Sequence, residues 1–198
     1  MKKTLYLLLF IPLSFSAFAQ TENDSDEINT LFNEDVSFGG FGGYMLDYST
    51  VGGELLFMNG GGGGVLLNRK FFLGGFGLSS ANTVDIDFGE YNRMNFGYGG
   101  LWLGYLFFPE KAVHLGIDSK FGWGGVTYRE SGIFGSRNTD GIYVVNPSAF
   151  VAMNVTKWFK IQAGGGYRLV QGANDRYFNN EQLSGINMNL SFQFGWFN

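Results

Sequence analysis

Gly185-Ile186-Asn187-Met188-Asn189-Leu190-Ser191-Phe192-Gln193-Phe194-Gly195-Trp196 is the stretch whose reading decides the fold. Ile186, Met188, Leu190, Phe192, Phe194 and Trp196 fall at alternate positions, with Asn187, Asn189, Ser191, Gln193 and Gly195 between them. Successive side chains of a β-strand point to opposite faces, so this is a strand with one aromatic, apolar face and one polar face. A soluble sheet alternates in the same way. Which face is buried has to be settled by the rest of the chain.

Residues 1–19 have the build of a secretory signal peptide: Met1-Lys2-Lys3, an apolar run from Leu5 to Phe15, and a small-x-small site at Ala17-Phe18-Ala19 before Gln20. The run is short for a membrane-spanning helix. Export through the Sec pathway is expected, with a mature chain starting at Gln20. There is no cysteine, which excludes a lipidated N-terminus, disulfides and thiolate chemistry.

Lys2 and Lys3 are the only charges in the first 19 residues. The remainder therefore carries 11 basic and 17 acidic side chains, a balance that argues against a nucleic-acid partner. The chain holds 32 glycines and 18% aromatic residues, yet only 15% are charged. An exported, cysteine-free chain of this composition suits a β-barrel whose outer surface meets lipid.

Residues 20–34 read as an acidic, flexible N-terminal segment. Residues 35–198 then contain eight strand candidates: Val36–Leu46, Gly53–Leu67, Phe71–Ser80, Met94–Phe108, Val113–Tyr128, Ile142–Val155, Trp158–Val170 and Gly185–Trp196. Each reaches the roughly nine to eleven residues a tilted membrane strand needs. Tight turns at Asn68-Arg69-Lys70, Pro109–Ala112 and Thr156-Lys157 alternate with longer polar loops at 81–93, 129–141 and 171–184. The first loop, near Asp47–Thr50, is short. An even strand number with short turns at one end and longer loops at the other predicts an all-β fold: an eight-stranded antiparallel up-and-down transmembrane β-barrel with both termini periplasmic.

Aromatic residues cluster at the ends of the strands. Phe71-Phe72, Phe107-Phe108, Trp158-Phe159 and Trp196-Phe197 flank the tight turns. Tyr44, Tyr48, Tyr91, Tyr128 and Tyr143 sit towards the other ends. Two such bands predict interfacial girdles.

Alternation recurs in two other strands. Phe159, Ile161, Ala163, Gly165, Tyr167 and Leu169 oppose Lys160, Gln162, Gly164, Gly166 and Arg168. Val113, Leu115, Ile117, Phe121 and Trp123 oppose His114, Gly116, Asp118, Lys120 and Gly122. The polar faces carry charges of both signs, which suits a barrel lumen better than a sandwich core. The expected lumen network is Glu54, His114, Asp118, Lys120, Lys160, Gln162, Arg168, Asn187, Asn189 and Gln193. Asp118, the one mid-depth acid in this reading, should face Lys160 or Lys120. Glycine pairs mark bends or bulges, and bulges at Gly99-Gly100 and Gly124-Gly125 would repair an apparent one-residue slip in the alternation. Pro147 should sit at a bulge or above the membrane zone.

The chain resembles the small outer-membrane β-barrel proteins of Bacteroidetes-like bacteria. The resemblance lies in Gly53-Glu54 running into Gly60–Gly64 and Val65–Asn68, in Phe72–Gly77, in Tyr98–Leu101, and in Asn154–Phe159 with Gly165-Gly166-Tyr167-Arg168. It implies a bacterial outer-membrane location and a barrel fold, with outer-membrane lipid and the barrel-assembly machinery as partners. Such barrels close with a C-terminal aromatic that the machinery reads. Here Phe197 is penultimate and Asn198 last.

Candidate chemistry is sparse. His114, the single histidine, lies beside a tight turn, and Ser119 nearby should point to the opposite face. One histidine and no cysteine cannot build an ordinary structural zinc site. Gly60–Gly64 lacks the Lys-Ser/Thr of a phosphate loop. Asp85, Asp87 and Glu90 form a loop cluster that reads as solvated. No cofactor and no enzymatic activity are expected. The expectation is a monomeric barrel with a structural or surface-interaction role and a largely plugged lumen. The alternative is a channel or transporter for small solutes or hydrophobic molecules.

Overall fold

The computed structural model describes residues 36–88, 91–130, 137–173 and 179–197. The signal peptide and the acidic segment lie outside these residues. The described chain forms nine β-strands: β1 (Phe38–Val51), β2 (Glu54–Leu67), β3 (Phe71–Ser80), β4 (Val84–Phe88), β5 (Tyr91–Phe107), β6 (Val113–Glu130), β7 (Arg137–Asn154), β8 (Phe159–Gln171) and β9 (Gly185–Trp196). A single helical turn, α1 (Asn180–Leu183), precedes β9. β3 and β4 run end to end along the same edge of β5, so they form one stave. At the break between them, Asn82 serves the edge of β2 that β3 has left. Its side chain accepts from Phe57 N at 2.8 Å and donates to Leu55 O at 2.8 Å.

The eight staves close antiparallel, β1 pairing with β2 and with β9. Paired residues can be followed around the barrel from Phe38 through Leu67, Phe71, Tyr105, Ile117, Ala149, Gly165 and Met188. The path returns to β1 at Tyr48, ten residues from its start. That stagger tilts the strands by about 35–45° and leaves an interior only wide enough for side chains.

The faces of β9 are now assigned. Ile186 and Trp196 are 71% and 78% exposed, whereas Asn187 and Gln193 are 1% and 7% exposed. The apolar face points outward on every stave, as in Leu55, Val65, Leu73, Leu101, Leu115, Ile117, Phe121, Val151 and Leu169. An apolar exterior around a partly polar interior is the inverse of a soluble barrel and is the arrangement lipid requires.

Several details differ from the sequence-based expectation. β1 runs through Asp47–Thr50, and the first connection is Gly52-Gly53, both with positive φ. A two-residue turn of that kind demands φ > 0 at both positions, which glycine adopts freely. The 81–93 segment is largely strand, because β4 and β5 extend it as a hairpin. No bulge interrupts Gly99-Gly100 or Gly124-Gly125, since the register of β5 with β3 and β6 is continuous there. The apparent slip arose because inward positions turn apolar towards the loop end, as in Met94, Phe96, Tyr98, Val126 and Tyr128. Tyr128 therefore faces the interior and is not part of a girdle. The side chain of Tyr91 lies outside the described residues. Pro147 pairs with Ser119 and faces outward within the apolar belt. It occupies a gap in the β7–β8 ladder, to which it can supply no N–H, and the register is unchanged on either side.

Candidate functional site

The interior is layered from the short-turn end to the loop end. Nearest the turns, Phe41, Phe72 and Trp102 pack edge to face, with ring centroids 5.0–5.6 Å apart, and Phe197 stacks on Phe41. His114 and Lys160 share this level. His114 Nδ1 lies 3.2 Å from Lys111 O, and its Nε2 has no hydrogen-bond partner. The Lys160 ammonium stands 4.0 Å over the Phe197 ring.

One level higher, Asp118 is the hub. Trp102 Nε1 donates to its Oδ2 at 3.0 Å and Gln162 Nε2 donates to the same oxygen at 3.3 Å. Ser148 Oγ donates to Oδ1, and Lys120 Nζ lies 3.9 Å from Oδ1. Lys120 stands two residues on from Asp118 along the same strand, hence on the same inward face. Gln193 extends the network by donating to Gln162 Oε1 at 2.7 Å. A buried carboxyl group needs partners of this kind for each oxygen, and both oxygens of Asp118 have them.

Above this level lies an acid that the sequence reading placed in a loop. Asp47 is 2% exposed and accepts from Asn187 Nδ2 at 2.5 Å. Its other oxygen, the Asn146 side chain, Asn187 Oδ1 and Asn189 Nδ2 are buried without protein partners. A cavity of about 10 Å³ lies among Met45, Asp47, Lys120, Gln162, Asn189 and Ser191, which is the threshold for one water. Asp47 was legible in principle. It shares the odd-numbered face with Met45 and Ser49, but only the Gly52-Gly53 turn shows that the strand continues that far.

Arg168 closes the polar zone. It is fully buried, and it donates to Leu183 O at 3.1 Å, to Ser49 Oγ at 2.8 Å and to Thr50 O at 3.5 Å, while its guanidinium lies over Phe96. Beyond it the interior is apolar: Val51, Leu56, Met94, Phe96, Val126, Ile142, Val144 and Val170. Leu183 of α1 completes this cap from above. α1 is held in place by a capping box between Asn179 and Gln182, and by Ser184 Oγ, which accepts from Val170 N at 2.9 Å.

The network residues proposed from the sequence therefore fall at different places. Asp118, Lys120, Gln162 and Gln193 are joined. Asn187 joins Asp47 instead, and Arg168 joins the cap. His114 and Lys160 lie at the turn end. Asn189 is half-buried beside the small cavity. Glu54 differs, because it begins β2 and is exposed. Asp118 meets Lys120, not Lys160. Among the described residues, no cluster of three or more His, Asp or Glu side chains is placed to hold a metal. The side chains of Asp85, Asp87 and Glu90 lie outside them.

No family model and no curated protein matches the chain. Solved structures do. Neisserial surface protein A aligns with a TM-score of 0.56 at 12% identity, over 83% of this chain and 100% of its own. Ail, the attachment invasion locus protein of Yersinia pestis, aligns with a TM-score of 0.51 at 13% identity, over 80% of this chain and 96% of its own. Ail in complex with the heparin analogue sucrose octasulfate aligns at 0.50 and 15% identity. At such identities the likeness is one of architecture: this chain has the fold of the small eight-stranded antiparallel β-barrels.

Proposed function

We propose that the protein is a non-enzymatic barrel of the bacterial outer membrane that presents its loop end for surface contact and admits no solutes through its lumen. The observation that carries this reading is the unequal height of the wall. β5, β6 and β7 have 17–18 residues against 13 in β8 and 12 in β9. Their outward faces change from Trp123 and Tyr143 at the top of the apolar belt to Asn95, Thr127 and Thr139 beyond it. The raised part thus has the polar faces of a sheet in water, standing over an interior filled by the apolar cap. The name of Ail links a barrel of this architecture to attachment and invasion. The proposed kinship with barrels of Bacteroidetes-like bacteria rests on the glycine and aromatic motifs alone. Both termini are proposed to be periplasmic.

Because the chain has no cysteine, single-cysteine variants report orientation cleanly. Thr139→Cys should react with a membrane-impermeant maleimide on intact cells, and Lys157→Cys only after permeabilisation. Purified protein in planar bilayers should show no steady conductance. Cells displaying the chain should adhere to a heparin-coated surface more than cells in which the β4–β5 hairpin is cut back to a tight turn. Reversed labelling, an open channel, or adhesion indifferent to the hairpin would each overturn its part of the proposal.

A further inference from the structure

The turn end holds a cavity of about 270 Å³ lined by Arg69, Pro109, Glu110, Asn154, Thr156, Lys157, Lys160 and Phe197. We infer that this cavity is a binding site for a phosphate oxyanion, with Lys160 as its floor and Arg69 and Lys157 as its rim. The inference does not depend on the proposed surface role.

Three observations carry it. First, Lys160 is 4% exposed, and its contact among the described residues is the Phe197 ring, with no carboxylate within ion-pair distance. A buried cation is stable when an anion or several acceptors face it, and the open side of Lys160 is this cavity. Second, the rim adds two cations, Arg69 and Lys157, against one acid, the exposed Glu110. Third, Asn154 Oδ1 is buried without a donor at the cavity wall. Asn154 Nδ2 donates to Pro109 O at 3.1 Å and to Lys111 O at 2.9 Å, so the amide orientation is forced and its oxygen has no protein donor. A phosphate oxyanion supplies the negative charge that Lys160, Arg69 and Lys157 lack around this cavity.

The test uses the full-length protein in phosphatidylcholine nanodiscs, titrated with inorganic phosphate and followed by the amide signals of Asn154, Thr156 and Lys157. Saturable shifts are expected. Lys160→Gln should weaken phosphate binding by about tenfold or more, as loss of a charge-assisted bond does. Lys160→Arg should retain binding. Lys111→Gln removes an equal charge at the same end of the barrel from a residue that packs on Phe108 and lines no part of the cavity. It should change binding by less than about twofold. Heat-dependent gel mobility checks that each variant is a closed barrel. Nanodiscs containing phosphatidic acid or phosphatidylglycerol separate the sources. Competition by phosphatidic acid alone identifies a lipid monoester, competition by both identifies any anionic headgroup, and competition by neither identifies the free ion. Shifts that never saturate, or that Lys160→Gln and Lys111→Gln reduce equally, would show charge screening and overturn the inference.

Discussion

Arg168 and Lys160 lie on the same strand and the same inward face, and both are buried. Their surroundings are nonetheless opposite. Arg168, at the loop end, reaches two carbonyls and a hydroxyl and ties β8 to β1 and to α1. Lys160, at the turn end, has a ring beneath it and a cavity beside it. The difference teaches that burial alone does not make a charge structural. The acceptors around it do, and the guanidinium's fan of planar donors allows one side chain to serve three partners. Where the acceptors are missing, the charge is available to something from outside.

The largest test of that contrast is Arg168→Leu. It strands the Leu183 and Thr50 carbonyls and the Ser49 hydroxyl and frees α1. We expect a loss of about 3–5 kcal/mol in guanidinium unfolding of the micelle-bound barrel, together with faster amide exchange in 180–184. An unchanged midpoint would remove Arg168 as the anchor.

Next, the same kind of cation on the outer face should not be tolerated. Leu190→Arg at mid-belt should cost about 2–4 kcal/mol, whereas Asn189→Ser on the inner face should cost under about 1 kcal/mol. Equal effects would mean that the faces are misassigned.

The Asp118 hub lies between these extremes. Asp118→Asn leaves Lys120 without its anion and should cost about 2–3 kcal/mol. The pair Asp118→Asn with Lys120→Met should cost less than the single change, and strict additivity in the cycle would show the two groups uncoupled. The smallest effect is expected at Lys160. Lys160→Met gives up no hydrogen bond to protein and should alter stability by at most about 1 kcal/mol in either direction. A loss as large as that of Arg168→Leu would make Lys160 structural and erase the contrast.

The alternation of β6, β8 and β9 was legible residue by residue, and with it the inward set from His114 to Gln193. What misled the reading was β5, where Met94, Phe96 and Tyr98 are large, apolar and inward. A strand facing lipid on one side and an apolar interior on the other loses its polar–apolar period, so the pattern mimics a slip. Asp47 was missed for a related reason. A charged residue five positions before a Gly-Gly turn reads as loop until the pairing of Val51 with Glu54 shows the strand running on.

The number of staves, their antiparallel order and the division of each into two faces come from the sequence by itself, because a two-residue period is a local property of the backbone. Depth within the barrel is not local. It depends on the stagger of ten residues around the closed sheet, which brings Asp118 beside Trp102, Ser148 and Gln162 from three other strands. Only the tertiary structure could decide that Asp118 and Arg168 are enclosed by partners while Lys160 is left facing a cavity. Whether a buried charge is satisfied is set by what the neighbouring strands place at its height, and sequence spacing along one strand carries no record of that.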